Sequence, residues 1–388
     1  EIDSLAVLTN EWAQNIRYYT TGKAAAFSDQ DEMTSSYTIS ERGTYYFWVV
    51  ADASAEADDN DVMTVQLQAV YRGETPYTPE ETVTAQTKLA HGMKGEYYIS
   101  TEAMADFHSV ADAMSAMNIL GIEGNVVFNI AAGSYTEKVS LSAVAGTSAD
   151  ATITFRSVTG KAADVVFASD ETSDTEGVWT INGMDYLTLK NITFKSNKEG
   201  YASCLVLKNM SMHVTIDSCV LTTDQTNFGT SQNMQLVRVI SEDADNANCN
   251  YLTIKNSTFT GGYHALNLTQ GSYATHPYRT DYVISGNTFT NQEKLVIYTN
   301  FLNNLTVENN TITSTGITAT DARAMDIRSL SGHYVIAGNT ITMQCTGTGY
   351  ANAIYFATNG QTNCAEGTVV DIYNNAVYVE STASSASS

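Results

Sequence analysis

Proline is nearly absent from this chain, with 3 residues in 388, and basic side chains are scarce: 19 Lys+Arg against 42 Asp+Glu leave a formal net charge of −23. Such a field repels phosphates and anionic lipid, so the expected partners include no nucleic acid and no membrane. No apolar run approaches the ~18 residues that a membrane span needs. The five cysteines, Cys204, Cys219, Cys249, Cys345 and Cys364, form no C-x-x-C pair, which excludes the commonest zinc and thiol-redox motifs. An odd number cannot all pair; Cys345 and Cys364 leave open one bridge or two buried free thiols. Charged residues are only 16% and hydrophobic ones 43%, a balance that excludes disorder. The abundant Thr, Asn, Val and Ile favour strands.

The chain opens on Glu1 with no signal-peptide pattern, as expected of a processed or trimmed product, and its end at Ser388 leaves open whether the natural chain continues. Its length suits two domains. Short alternating runs, residues 45–50 and 63–70, suggest a small β-sandwich over 1–75. A polar stretch at 76–94 with Pro76 and Pro79 reads as a linker. No cofactor is required. Ca²⁺ is the one cation to consider, at the acidic clusters 29–32 and 58–61, but neither has EF-hand spacing and both read as solvated turns. One helix is expected over 104–120, where Phe107, Val110, Ala111, Met114, Met117 and Leu120 recur at helical spacing before Gly121.

Beyond the helix the sequence repeats. Residues 186–194, 214–221, 251–259, 282–289, 305–312, 334–341 and 370–377 align without gaps from their last residues, which follow one another at 27, 38, 30, 23, 29 and 36 positions. The spacing varies because insertions are tolerated between repeats. Three positions before each last residue stand Asn191, Ser218, Asn256, Gly286, Asn309, Gly338 and Asn374. Asn and Gly enter left-handed backbone most cheaply, so each repeat turns a corner there. The next column ends in Asn287, Asn310, Asn339 and Asn375, able to bond amide to amide. A second short strand follows in each repeat, with inward pairs such as Leu266/Leu268, Leu295/Ile297 and Met325/Ile327. Two or three strands per turn with a fixed corner describe a parallel β-helix.

Residues 95–388 resemble the right-handed parallel β-helix proteins of the pectin-lyase-like group. The resemblance rests on the repeats and on the opening segment Asp106-Phe107-His108-Ser109-Val110, Gly124-Asn125-Val126-Val127-Phe128-Asn129-Ile130 and Gly133-Ser134-Tyr135-Thr136-Glu137. That segment is similar to those of pectin methylesterases and of secreted β-helix proteins of Gram-negative gut bacteria. Arg42-Gly43-Thr44-Tyr45-Tyr46-Phe47-Trp48-Val49-Val50 resembles the β-sandwich module ahead of some bacterial sialidase domains. The expected fold is therefore all-β: a β-sandwich at 1–75, a linker at 76–94, and a right-handed parallel β-helix at 95–388 capped by the helix. The resemblance implies an extracellular or outer-surface location.

The catalytic sets of such folds are missing. After Gly133–Glu137 no Q-D-T-L, D-F-I-F-G or R-P-W follows, so the motif reads as structural. N-T-D and G-H-G are absent, and His213-Val214-Thr215-Ile216-Asp217 lacks the Trp and second His of a pectate-lyase box. Alignment puts Lys190, Asp217 and Lys255 in one outward column, a surface ion ladder. The outward column of the second strand runs Val206, Arg238, Asn267, Val296, Asp326 and Tyr355, with Tyr298 and Arg328 two residues along their strands and His264 at one margin. Tyrosines suit sugar faces, and Arg, Asn and Asp suit hydroxyls. The candidate ligand-binding residues are thus Arg238, His264, Asn267, Tyr298, Asp326, Arg328 and Tyr355. The expected partner is a polysaccharide, bound without a recognisable catalytic set. The alternatives are a polysaccharide lyase using Ca²⁺, a hydrolase with an atypical site, and a structural stalk or adhesin.

Overall fold

A computed structural model describes residues 91–224, 233–240, 249–269, 279–346, 351–357 and 364–382, together with the backbone strands of the first 90 residues. The chain divides into two units, Glu1–His91 and Gly92–Ser388. In the first, Val62–Arg72 pairs antiparallel with Ser4–Leu8, Thr75–Tyr77 and Val83–Lys88. Ala13–Thr20 pairs antiparallel with Lys23–Ala26 and Phe47–Ala53 in a second sheet. The acidic clusters at 29–32 and 58–61 lie outside the described residues. The linker expected at 76–94 is corrected: Val83–Lys88 joins the first sheet, and Met93–Ile99 pairs parallel with Ile122–Ile130 in the second unit. The alternation of Val83-Thr84-Ala85 is a strand pattern that the neighbouring prolines obscured.

The second unit is a parallel β-helix with three strands per turn. One face stacks Ile122–Ile130, Ile153–Ser157, Leu187–Lys190, Thr215–Asp217 and Thr253–Lys255 in parallel register. A second face runs from Gly133–Tyr135 through seven more strands to Ala376–Ser381. The third runs from Val139–Ser142 to Ala351–Ala357, and the long strands Leu295–Glu308 and Ala322–Ala337 bend from this face into the first. The repeat alignment holds throughout: Phe194, Leu221, Phe259, Phe289, Ile312, Ile341 and Val377 are successive rung partners.

The corner is left-handed in every repeat. Asn191, Ser218, Asn256, Asn309 and Asn374 have φ of 55°, 55°, 52°, 56° and 55°, and Gly286 and Gly338 have 66° and 65°. Behind it, Asn287, Asn310 and Asn339 donate Nδ2 to the Oδ1 of the next asparagine at 3.0, 3.0 and 2.9 Å. Backbone N–H groups of the same three residues donate to the same oxygens. Ser257 and Cys219 extend this register backwards, since Ser257 N donates to Asn287 Oδ1 and Cys219 N to Ser257 Oγ. Inside the coil, apolar side chains stack rung on rung: Phe128 on Phe155 at 4.7 Å, Phe259 on Phe289 at 4.8 Å. All five cysteines are free, four buried and Cys364 exposed, so no Cys345–Cys364 bridge exists.

The helix spans Val110–Leu120, shorter than the expected 104–120. Ser109 caps it by accepting the Asp112 N–H on Oγ at 3.0 Å, and Gly121 ends it at φ 67°. Its buried face is Val110, Ala113, Met114 and Met117; Ala111 and Leu120 are exposed. It packs chiefly on Met93–Ile99 and Val139–Ser142, and Met93–Ile99 is the first rung, the one that needs the cover. Phe107 stays outside the helix and meets Phe128 at 5.8 Å. The Gly133–Glu137 motif serves this end. Tyr135 stacks on Phe167 and donates to the Ala131 carbonyl, while the Glu137 carboxylate accepts the Val110 N–H at the helix N-terminus.

The ion ladder also stands. Asp217 Oδ2 lies 3.4 Å from Lys190 Nζ and 3.9 Å from Lys255 Nζ, and Asp217 Oδ1 accepts from Ser218 Oγ and Asn256 Nδ2. His213 is stacked between Tyr186 and Tyr251 at 4.4 and 4.3 Å, so the partial pectate-lyase box is spent on rung stacking. Burial alone would raise the Asp217 carboxyl, but its hydrogen bonds from Asn256 and Ser218 and the two lysines lower it on balance. A lowered carboxyl stabilises the fold above its unfolded pKa, near 3.9, and that contribution is lost as pH falls through the folded value. Acid titration of Asp217→Asn, followed by circular dichroism, should therefore show a flatter loss of stability below about pH 4 than the parent. Identical acid limbs would remove Asp217 from the account.

Candidate functional site

The outward column of the third face assembles as a rung-by-rung row, with one correction. Val206 pairs with Arg238, Arg238 with Asn267, Asn267 with Tyr298, Tyr298 with Asp326, and Asp326 with Tyr355. Tyr298 thus stands where Val296 was expected, and Val296 is buried. The slip has a clear cause: the inward partner of Leu268 and Ile327 is Thr299, a hydroxyl residue that an apolar alignment skips in favour of Leu295/Ile297. Arg328 belongs to the adjacent column, between Asn300 and Ala357.

The row is not the open strip that alternation implies. Asp326 is 0% exposed, closed in by two arginines. Arg323 Nη1 donates to its Oδ2 at 2.6 Å, Arg328 Nε to Oδ1 at 2.8 Å and Arg328 Nη2 to Oδ2 at 2.9 Å. The same guanidiniums lie over tyrosines: Arg323 Cζ is 3.9 Å from the Tyr355 ring centroid, and Arg328 Cζ 5.2 Å from that of Tyr298. One face of each ring is therefore taken by a cation. A planar layer of guanidinium on phenol, held from below by a carboxylate, meets whatever approaches. Its hydrogen bond to Asp326 raises Arg328 further, and burial raises the Tyr298 phenol, so both keep their protons at neutral pH.

His264 is buried and sits between Gln235 and Leu295 on neighbouring rungs, not at an exposed margin. Burial and then Lys294 push its pKa down to about 3, against Asp326, so the imidazole is neutral. Several polar atoms here are buried without a partner among the described residues: Arg238 Nη1, His264 Nδ1, Asn300 Oδ1 and Arg323 Nε. Arg238 is half-buried, and burial lowers its guanidinium, with Asp174 acting the other way. Native structures leave few such groups unsatisfied, and these four lie on strands of the third face.

Sequence reading missed Arg323 and Asn300. Arg323 has the parity of inward Met325 and Ile327, but at the start of its strand the long side chain turns outward over Asp326. Asn300 sits two residues past Tyr298 and was hidden by the same slip. Asp326 has Tyr298 and Tyr355 as rung neighbours, so among the described residues neither rung beside it offers a second acid for a hydrolytic pair. Among the described residues, no group of three or more His, Cys, Asp or Glu is placed to hold a metal ion. No described helix is long and apolar enough to cross a membrane.

The class this geometry defines is the parallel β-helix. No protein-family model matches the chain, and no curated protein matches it. Among solved structures it is similar to a pectin methylesterase from Aspergillus niger, with 11% identity, TM-score 0.42 and coverage of 75% of this chain and 92% of that one. It is also similar to the pectin methylesterase from carrot, with 11% identity, TM-score 0.43 and coverage of 72% and 90%. A third is the pectin methylesterase from Yersinia enterocolitica, with 10% identity, TM-score 0.40 and coverage of 68% and 94%.

Proposed function

We propose that the protein binds polysaccharide along the third face of its β-helix, outside the cell or on its outer surface, and performs no chemistry that needs two carboxylates. The coil is taken as right-handed, the near-universal sense of parallel crossovers, and the N-terminal unit as a β-sandwich. One observation carries the reading. Arg238, Asn267, Tyr298, Asp326 and Tyr355 occupy five consecutive rungs in register. A linear polymer laid parallel to the coil axis passes Arg238, Asn267, Tyr298 and Tyr355 at multiples of a ~4.8 Å step, with the Arg323 and Arg328 guanidiniums covering the buried Asp326 between the two tyrosines. Tight registration of polar groups on a rigid sheet suits recognition, because little order is lost on binding.

The test is retention of the whole protein on immobilised plant, mucin and microbial glycans. Tyr298→Ala, Tyr355→Ala and Arg328→Ala should each weaken retention by roughly 0.5–2 kcal/mol, the scale of the cation–ring contacts they remove. Cleavage of none of the glycans is expected. Release of an unsaturated product absorbing in the near ultraviolet would replace binding with elimination, and unchanged retention in all three variants would move the site elsewhere.

A further inference from the structure

The second face carries a pattern of its own, away from the row on the third. Four consecutive strands, Thr258–Thr260, Thr288–Thr290, Thr311–Ile317 and Thr340–Cys345, each open on Thr-x-Thr, where x is the buried Phe259, Phe289, Ile312 or Ile341. Alternation turns the eight threonines outward, and none of the eight is buried. Thr258 pairs with Thr288, Thr288 with Thr311 and Thr311 with Thr340. Thr260, Thr290, Thr313 and Thr342 follow in the same order, with no register shift among them. The result is two straight columns with a step of ~4.8 Å from rung to rung and ~6.6 Å along each strand. Among the described residues none of these hydroxyls is spent on a protein hydrogen bond. Strand propensity alone puts threonine at outward positions, and the first face shows what that yields. There Thr154, Thr188, Thr215 and Thr253 form one column, beside Arg156, Lys190, Asp217 and Lys255. On the second face both columns are threonine, and none of the chain's 42 Asp+Glu or 19 Lys+Arg stands at an outward position of the four strands.

We infer that this face binds an ordered water lattice, the surface of ice. The array offers an approaching molecule neither a ring nor a charge; what it offers is a repeat in two directions. Only a ligand that itself repeats in two directions meets every hydroxyl at once, and ice is a neutral solid whose surface consists of hydrogen-bond donors and acceptors. Threonine suits such a surface. Its branched Cβ restricts χ1, so each hydroxyl is held in place, and the methyl beside it sheds hydration water on contact. The scaffold keeps the repeat exact enough to match a lattice. Asn287, Asn310 and Asn339, directly before Thr288, Thr311 and Thr340, tie rung to rung. Beneath the array Phe259 stacks on Phe289 at 4.8 Å. A rigid array loses little order on binding, and contacts that are weak singly add up when all are made together. The rung before, where Val220 and Thr222 pair with Thr258 and Thr260, extends both columns with β-branched side chains. This reading concerns a different face from the glycan row and stands or falls separately.

The experiment grows ice slowly from a solution of the whole protein mixed with serum albumin and measures how much of each protein the ice takes in. Albumin should be rejected, and the parent chain should be incorporated at close to its concentration in the liquid. Thr290→Lys and Thr313→Lys, each in the middle of the array, should cut the incorporated fraction about tenfold, as loss of a central contact does at other interfaces. Both should melt at the parent's temperature, since their side chains point to solvent. Thr306→Lys, on the outward side of the first face between Val283 and Val335, should be incorporated like the parent. Rejection of the parent chain together with albumin overturns the inference and leaves the glycan reading untouched. Incorporation of both array variants at the parent's level, or an equal loss in Thr306→Lys, overturns the assignment to the second face. Retention on crystalline cellulose or chitin that falls in the two array variants, with rejection from ice, would give the array to a solid glycan instead and overturn ice as its ligand.

Discussion

Replacing Asp326 with alanine is expected to destabilise the β-helix by about 3 kcal/mol, the low end for stranding buried charge. The carboxylate is fully buried and accepts three hydrogen bonds from Arg323 and Arg328, whose side chains are 15% and 25% exposed. Alanine leaves two guanidiniums facing each other with no counter-charge. Their residual exposure keeps the loss at the lower end, since water reaches each of them. The control separates charge from packing: Asp326→Ala combined with Arg323→Met and Arg328→Met should recover most of the loss, because no charge is then stranded. Denaturant midpoints of the single and triple variants decide the matter. A single variant within 0.5 kcal/mol of the parent, the noise of an ordinary surface change, would mean that Asp326 does not hold the two arginines in place.

Asn310→Ala is the second large effect, about 1–3 kcal/mol. The side chain accepts from Asn287 N and Nδ2, and donates to Asn339 Oδ1 and the Ile284 carbonyl, all within the buried interior. Alanine orphans groups on three rungs at once, in a place buried from solvent. In a coil whose rungs contact chiefly their neighbours, the damage is local. Hydrogen exchange should therefore quicken across the strands Arg279–Ser285 to Ala322–Ala337 and remain slow in Ile122–Ile130. Uniform quickening along the coil would contradict a local ladder. Asn310→Asp is the sharper companion, since a carboxylate can accept but not donate to Ile284 or Asn339.

Much of this was legible in the sequence for a simple reason: a solenoid's long-range contacts are copies of a local pattern. The Asn/Gly corner needs left-handed backbone at one position per repeat, so Asn191, Asn256, Gly286 and Asn309 announce it in the chain itself. The Asn287–Asn375 ladder and the Lys190–Asp217–Lys255 row follow once the repeats are aligned. The helix start was less legible. Phe107 keeps helical spacing, yet Ser109 offers a capping hydroxyl, and a cap outweighs one apolar residue at a helix end. The first rung, Met93–Ile99, precedes the detectable repeats and carries Gly95 and Glu96 where apolar alternation was sought.

The site shows where reading along the chain stops. Arg238, Asn267, Asp326 and Tyr355 were correctly lined up, because inward Leu, Val, Met and Ile fix the register of their strands. One inward hydroxyl, Thr299, broke that cue and displaced Tyr298 by two residues. Nothing in the sequence signals that Arg323 swings over Asp326, that Asp326 is sealed beneath two guanidiniums, or that His264 is buried and neutral. By itself the sequence determined the coil, its corners, its ladders and the absence of known catalytic sets, since each is a property of residue type at a repeating position. Only the tertiary structure decided which side chains are buried and which arginines close over Asp326. Those depend on three-dimensional distances between rungs 23 to 38 residues apart in the chain, and on desolvation that no local pattern encodes.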